Sequence, residues 1–440
     1  MNSKQKIFWI LTALSIILIF VANYFHLNQQ GIYSEFYQNI AQNILHCQGY
    51  SVPAFSNEPL FYPMWGYTFL VLIDAIFGNT SIIILLFQAL LAFAGIFYFY
   101  KIFAIEKKLF HILLFIPFIA LMSVKWPDAI VGFLLLPFAF YNKEFIENPK
   151  LRTAIIAGII FGVLCNFRSE YLLIPFIQFA FIIVPKIRNN FIPLAKFNII
   201  VLVITVICLT PWAIRSYVLS GELRYSSSNS GMVFYLSLGQ LPNNKWKIAP
   251  IDKTAIDLVE SQGNTYPFSS KGDRILKDNF IKSVQAEPAE FIKKIFYNGF
   301  KSFTGGVYTG EYSTFFIQKN RLIKIQDSIN STSGTMNKLK NITILPASES
   351  TVLLTEKLIQ IIFSIVFFLS IIFLVFFIFS KSFTKYLSLK IVVTSIFIYK
   401  IISVSLIQYE YRHMNAVYVL LLGIALITAS ELFSRKFKKS

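Results

Sequence analysis

The chain has 440 residues, of which 55% are hydrophobic and 14% are charged, whereas soluble globular domains carry about 25% charged residues. This composition excludes a disordered chain and an ordinary soluble enzyme. The net charge of +18 must be placed relative to a membrane before nucleic acid is considered as a partner. The three cysteines and four histidines share no ligand spacing, so neither a disulfide framework nor a metal site is predicted.

Apolar runs that approach the length of a membrane helix recur along the whole chain. A bilayer core requires about 20 apolar residues per helix, and about ten candidates are predicted. They lie at 7–25, 79–104, 109–124, 129–141, 153–167, 170–185, 197–213, 352–379, 386–408 and 413–432. The first follows Lys4 and Lys6 and has no small-residue cleavage site after it, so it is interpreted as a retained helix.

The basic residues of alternate short loops fall on one side of the predicted membrane when Lys4 and Lys6 are placed in the cytoplasm. They are Lys107, Lys108, Lys143, Lys150, Arg152, Lys186, Arg188, Lys196, Lys381 and Lys385, followed by the basic tail from Arg435. This is the positive-inside pattern. It predicts a multi-pass protein of the cytoplasmic membrane with both termini inside, and topology then accounts for much of the net charge without nucleic acid.

The outer side is predicted to hold the functional parts. We expect an N-terminal transmembrane module at 1–213 with a functional first outer loop at 26–78, an extracytoplasmic domain at 214–350, and C-terminal transmembrane helices at 351–440. The fold class is therefore all-α and polytopic, with about ten transmembrane helices, juxtamembrane helices in the first outer loop and a small extracytoplasmic domain. Within that domain, Asp273–Val284 and Pro288–Phe303 have helical character.

The first outer loop begins with an amphipathic pattern. Phe36, Ile40 and Ile44 recur at helical spacing, Leu45 extends this face, and Glu35 falls in the predicted first turn, where a carboxylate suits the helix dipole. We interpret this segment as an interfacial helix lying on the membrane. The apolar stretch at 60–77 is interpreted as a second, partly re-entrant helix, because a span there would reverse the sidedness of the later loops.

Ionisable residues between apolar runs carry a large free-energy penalty near hydrocarbon and are functional candidates. On the outer side they are Glu35; Lys125 with Asp128; Arg168 with Glu170; Arg215; and Glu410 with Arg412. Each group ends a span or begins a helix, so all can converge on one cavity that binds an anion beside a base. Structural alternatives remain open: Glu35 as a solvated helix-start acid, Asp128 as a helix N-cap and Arg215 as an interfacial anchor.

Several short motifs occur in a fixed order along the chain. They are Glu35-x-Tyr37, Gly49-Tyr50, Pro63-x-x-Gly66-Tyr67, Phe77-Gly78, Pro127-Asp128, Arg168-Ser169-Glu170, Pro211-Trp212 with Arg215-Ser216-Tyr217, and Tyr411-Arg412. In this order they resemble the type C glycosyltransferases of the protein O-mannosyltransferase and aminoarabinose transferase superfamily (glycosyltransferase family 39-like). The likeness covers about residues 1–240 and 350–440, and the family usually has Asp, Pro and Asn where this chain has Glu35, Ser169 and Ser216.

The resemblance implies transfer of a sugar from a polyprenyl-phosphate donor to a hydroxyl of a glycan, lipid or protein acceptor, usually with inversion, and without a metal or further cofactor. It implies that Glu35 is the catalytic base and that Asp128 orients the acceptor or binds sugar hydroxyls. Cations expected to stabilise the departing phosphate are Arg412, Arg215, Arg168 and Lys125. Substrate contacts are expected from Tyr37, Tyr62, Glu170 and Tyr411.

Two other classes fit the same predicted topology. A polymerase or ligase of O-antigen type also handles polyprenyl-linked glycans, but it needs no base such as Glu35 in an amphipathic first-loop helix. A transporter is less favoured, because the sequence has no repeated half and no matching pair of Gly/Pro-broken helices.

Overall fold

The computed structural model describes residues 35–51, 60–78, 82–103, 127–180, 191–263, 265–304, 347–380, 386–407 and 414–436, with single residues at 10, 13 and 17. Every regular element in these ranges is helical, as expected. The helices are α1 Glu35–Leu45, α2 Trp65–Ile76, α3 Ile82–Phe103, α4 Pro127–Glu147, α5 Leu151–Phe167, a 3-10 helix at Ser169–Leu173, α6 Ile174–Ala180, α7 Phe191–Ser220, α8 Ser230–Leu238, α9 Asp252–Gly263, α10 Ser270–Ala286, α11 Pro288–Thr304, α12 Ala347–Phe379, α13 Leu387–Leu406 and α14 Asn415–Lys436.

Within the described part of the chain, four helices are long and apolar enough to cross a membrane. They are α3, α7 over Ile192–Ser220, α12 over Glu349–Phe379, and α13. Shorter apolar helices cover Trp65–Ile76, Leu151–Phe167 and Val417–Leu432. These helices agree with a polytopic membrane protein. The predicted span at 109–124 lies outside the described residues, as does the span at 7–25 apart from three single positions.

The predicted span at 170–185 is interrupted in the structure. Arg168 has an extended backbone, the 3-10 helix follows it, and α6 begins only at Ile174. Pro175 is the second residue of α6, where a proline does not break the helix because the first backbone N–H groups have no intrahelical partner. The break places Arg168 on extended backbone and Glu170 in the 3-10 helix, between α5 and α6.

Helices α5 and α7 approach each other closely at two glycines of α5. A Cβ added at Gly162 would lie 2.7 Å from Cys208 Cβ, and one added at Gly158 would lie 2.9 Å from Ile204 Cβ. Small residues four apart let two membrane helices approach closely. Helix α4 occupies the interior of the bundle, since every residue from Ile130 to Ala139 is buried.

Helices α8 to α11, here called the helical unit, cover 221–304, and the predicted helices at Asp273–Val284 and Pro288–Phe303 are confirmed as α10 and α11. Its small core joins α8, α9 and α10 through Leu236, Val259 and Leu276. The unit contacts the first loop where Tyr266 packs with Ile40 and Leu60. The helical unit and the loop therefore share an apolar contact.

Candidate functional site

Helix α1 begins at Glu35, as the sequence predicted. The environment of its apolar face, however, differs from the prediction. Ile40 is fully buried against Leu60 and Tyr266, with Phe36 and Ile44 beside them, whereas Leu45 is exposed. Protein therefore covers the side that was expected to rest on lipid. The helical period reveals that a face is covered, but it does not distinguish lipid from a second protein surface.

The start of α2 fits closely against the end of α5. The indole nitrogen of Trp65 donates to Asn166 Oδ1 at 2.9 Å, and Asn166 Nδ2 donates to the carbonyl oxygen of Gly162 at 3.0 Å. A Cβ at Gly66 would lie 2.7 Å from the Asn166 carbonyl oxygen, so only glycine permits this approach. The contact fixes the position of the first loop relative to Arg168, the residue directly after α5.

Tyr37 and Arg168, both predicted site residues, interact electrostatically here. Burial raises the pKa of the Tyr37 phenol well above its usual value and the nearby Tyr62 adds to this, while the positive charge of Arg168 opposes it. The phenol thus stays protonated and can donate a hydrogen bond beside a guanidinium. The half-buried Arg168 lies within electrostatic reach of the helix that Glu35 begins.

Aromatic rings extend this site toward the helical unit. Tyr62, a predicted substrate contact, has its ring centroid 4.5 Å from that of Phe268 and 6.0 Å from that of Phe36. Tyr37 packs edge-on against Tyr67 with centroids 4.8 Å apart. Such rings offer flat apolar surfaces with hydroxyl groups at their rims.

Glu170, a further predicted substrate contact, has a partner inside the protein. Its Oε1 accepts a hydrogen bond from Lys400 Nζ at 2.8 Å, its backbone carbonyl accepts one from the Tyr399 hydroxyl, and Lys400 lies over the Tyr171 ring. Because Lys400 is 1% exposed, this ion pair joins the 3-10 helix to α13. The structure places Glu170 in a helix-to-helix contact.

Arg215 also has protein partners. Its guanidinium donates to the carbonyl oxygens of Leu60 at 3.0 Å and Tyr50 at 3.4 Å. It lies over the rings of Tyr50, Phe61 and Trp212, at 4.7, 5.4 and 5.1 Å from their centroids. Arg215 therefore ties both ends of the segment between α1 and α2 to α7.

The end of α7 is joined to the helical unit by Ser216, which stands where the resembled family usually has Asn. Its buried hydroxyl donates to the Glu222 carbonyl and accepts from the Arg224 backbone N–H, both at 2.9 Å. Arg224 in turn contacts the carboxylates of Glu222 and Asp273. A serine suffices at this position because its one hydroxyl both donates and accepts.

Several predicted residues lie outside the described part of the structure. These are Lys125, Glu410, Tyr411 and Arg412, and the side chains of Glu35 and Asp128. The backbone places Asp128 second in α4, which begins at Pro127, so Asp128 lies in the first turn rather than at the N-cap position. An acid there still interacts favourably with the helix dipole.

Sequence reasoning missed Lys400 and Tyr50. Lys400, in the second half of the apolar run of α13, was a detectable signal, because a charge at that depth needs a partner. Tyr50 belongs to the Gly49-Tyr50 motif, but no role was predicted for it: its hydroxyl bonds the Pro63 carbonyl at 2.6 Å and Thr68 Oγ1 at 2.9 Å, contacts that local spacing does not reveal.

The assembled site offers a guanidinium, protonated phenols and aromatic surfaces beside the helix that Glu35 begins, which is chemistry suited to an anion and a hydroxyl-rich group. Among the described residues, no group of three or more His, Cys, Asp and Glu side chains is placed to hold a metal ion. No family model, curated protein or solved structure matches the chain. Function is therefore argued from the residues and their geometry.

Proposed function

We propose that the protein is a membrane glycosyltransferase that moves a sugar from a polyprenyl-phosphate donor to a hydroxyl of a glycan, lipid or protein acceptor. The observation that carries this proposal is electrostatic: the positive charge of Arg168 acts on Tyr37, the third residue of the helix that Glu35 begins. A base and a phosphate-binding cation must lie on opposite sides of one anomeric carbon, so they must belong to one site.

In the proposed reaction, the acceptor hydroxyl attacks the anomeric carbon and its proton passes to Glu35. The bond between that carbon and the phosphate oxygen breaks with inversion, and the electron pair leaves with the lipid phosphate. Arg168 stabilises the charge that grows on the phosphate, with Arg412 and Lys125 as further cations, while Asp128 and Tyr411 contact the substrates. Arg215 and Glu170 act by holding the loop and the 3-10 helix in place.

The proposed function requires a particular orientation of the chain in the membrane. We place the protein in the cytoplasmic membrane with about ten helices, both termini in the cytoplasm, and the site and residues 214–350, apart from α11, on the outer face. The donor is the co-substrate, and the proposed mechanism uses no further cofactor. The positive-inside distribution of the short loops supports this orientation.

The deciding experiment is sugar transfer by the purified full-length protein in liposomes, with a panel of labelled polyprenyl-phosphate sugars and extracted membrane glycoconjugates. Wild type is compared with Glu35→Gln and with a matched control, Glu260→Gln, at an exposed position of α9. Transfer by wild type and the control, with loss in Glu35→Gln, is expected. Full transfer by Glu35→Gln rejects its role as base, and movement of whole preassembled glycans instead of single sugars favours a polymerase or ligase.

A second pair of variants tests the phosphate-binding cation. Arg168→Ala should lower kcat/KM for the donor by about 100-fold, because a charge on the departing phosphate loses its stabilisation. Arg152→Ala, at an exposed position in the first turn of α5, is the control and should leave transfer unchanged. Equal activity of the two variants would remove Arg168 from the site.

A further inference from the structure

Helix α11 has its polar residues inside and its apolar residues outside. The buried stripe consists of Glu290, Lys294, Asn298 and Ser302, which are 6% exposed or less. On the opposite side, Ile292 is 53% exposed, Phe296 73% and Phe300 68%. A helix on the surface of a water-soluble domain shows the reverse arrangement.

The polar stripe is held by specific hydrogen bonds, which fix the side of α11 that faces outward. Lys294 Nζ donates to the carbonyl oxygens of Ser405, Leu406 and Ile407 at 3.2, 2.7 and 2.8 Å. These carbonyls end α13, where a cation is favourable. Asn298 Nδ2 also donates to Gln240 Oε1 at 2.9 Å. Rotating α11 to bury its phenylalanines would break these bonds.

The contacts of α11 proceed along α13 in the opposite chain direction. A Cβ at Gly299 would lie 3.1 Å from Ser405 Oγ, and the Phe303 ring lies 6.3 Å from that of Phe397. From Ser405 to Phe397 the rise along α13 is about 12 Å. Since α13 is apolar enough to cross a membrane, the second half of α11 lies beside a membrane helix and not beyond its end.

We propose that α11 enters the bilayer beside α13, with Ile292, Phe296 and Phe300 in contact with lipid acyl chains. Lys293, whose side chain is 67% exposed, lies near the start of the helix, where an ammonium group meets lipid phosphates. One turn before the end, the Lys301 ammonium covers the Tyr297 ring at 4.7 Å, which shields it from hydrocarbon.

This insertion would anchor the helical unit to the membrane. Tyr266 and Phe268 of that unit pack on the first loop, so an anchored unit holds these rings at a fixed height above the bundle. The inference is independent of glycosyl transfer, because it depends only on the polarity of α11 and its contacts with α13.

The test uses the full chain in liposomes with nitroxide spin labels. In a background carrying Cys47→Ser, Cys165→Ala and Cys208→Ala, single cysteines are introduced as Phe296→Cys and Phe300→Cys, with Lys253→Cys on the exposed side of α9 as the aqueous control. Collision rates with oxygen, which concentrates in hydrocarbon, are compared with those of a water-soluble nickel chelate.

Labels at 296 and 300 are expected to favour oxygen over nickel several-fold more than the label at 253. Nickel accessibility equal to that at 253 overturns the proposal, because the apolar side of α11 would then face water. Protection from both reagents also overturns it, since another protein surface would then cover that apolar side. Because the two labelled positions lie one helical turn apart on the same side of α11, the result stays interpretable if one variant does not fold.

Discussion

Two groups of buried charges join distant parts of this protein, and they differ in how their ions are shared. In the bundle, Lys400 pairs with one carboxylate among the described residues, that of Glu170, at 2.8 Å. In the helical unit, Asp273 is equally buried but accepts from Arg224 at 2.9 Å, Lys277 at 2.6 Å and the backbone N–H of Gly231 at 2.7 Å.

The difference predicts how each region responds to damage. Removing Lys400 takes the buried cation of this pair away from the Glu170 carboxylate between two helices. In the network, Arg224 keeps the Glu222 carboxylate and the Ser270 hydroxyl when Asp273 loses its charge. The bundle should therefore be the more sensitive region, and the helical unit should lose its stability in smaller steps.

The largest effect is expected for Lys400→Met, which removes the cation and leaves the half-buried Glu170 carboxylate. The free energy of unfolding should fall by about 3–5 kcal/mol, measured by denaturation in detergent micelles. The double variant Lys400→Met/Glu170→Gln should recover much of the loss, because neither position then carries a charge. Lys357→Met, at an exposed position of α12, is the control, and a wild-type melting curve for Lys400→Met would contradict the comparison.

A smaller effect is expected for Asp273→Asn, which keeps the shape of the side chain but removes its charge. Two cations and the Gly231 N–H lose a charged acceptor, and a loss of about 2 kcal/mol is expected from such hydrogen bonds. Faster hydrogen exchange in the 270–277 segment measures this locally. Asp257→Asn, on the exposed side of α9, should leave exchange unchanged; equal rates in the two variants would show that the network does not stabilise α10.

The smallest effect concerns pH. Burial raises the pKa of Glu222, but hydrogen bonds from Arg224, Ser270 and Arg274 outweigh it, so the net pKa lies below the usual 4.5. A carboxyl with a lowered folded-state pKa stabilises the fold above its unfolded pKa, and that contribution is lost as the pH falls through the folded value.

Hydrogen-exchange protection of residues 270–277 should therefore be higher in wild type than in Glu222→Gln at pH values above the usual pKa of 4.5. The two should converge as the pH falls through the lowered folded-state pKa of Glu222. Hydrogen exchange at matched intrinsic rates measures the difference. A constant difference across this range would mean that the Glu222 charge contributes nothing to the network.

The local pattern of apolar residues in the sequence was enough to predict most helices. Apolar runs predicted α3, α12 and α13, and the spacing of Phe36, Ile40 and Ile44 predicted α1, because a helix repeats its environment every 3.6 residues. The break before α6 was harder to place, since an apolar run does not indicate where a 3-10 turn interrupts it.

The candidate site was predicted in part. Tyr37 and Arg168 were both predicted as site residues, and in the structure the charge of Arg168 acts on the Tyr37 phenol. The same reasoning assigned Glu170 and Arg215 to substrate, whereas the structure gives them protein partners: Lys400, 230 positions along the chain from Glu170, and the Leu60 carbonyl, 155 positions from Arg215. Such pairings depend on helix packing, which no local pattern encodes.

By itself, the sequence determined that this chain is helical and apolar enough for a membrane, because hydrophobicity and helical period are properties of neighbouring residues. Only the tertiary structure decided what covers each face. The apolar side of α1 meets protein, while that of α11 faces outward because Lys294 is held by the last carbonyls of α13. Burial results from contacts between distant segments, and those contacts form only when the whole chain has packed.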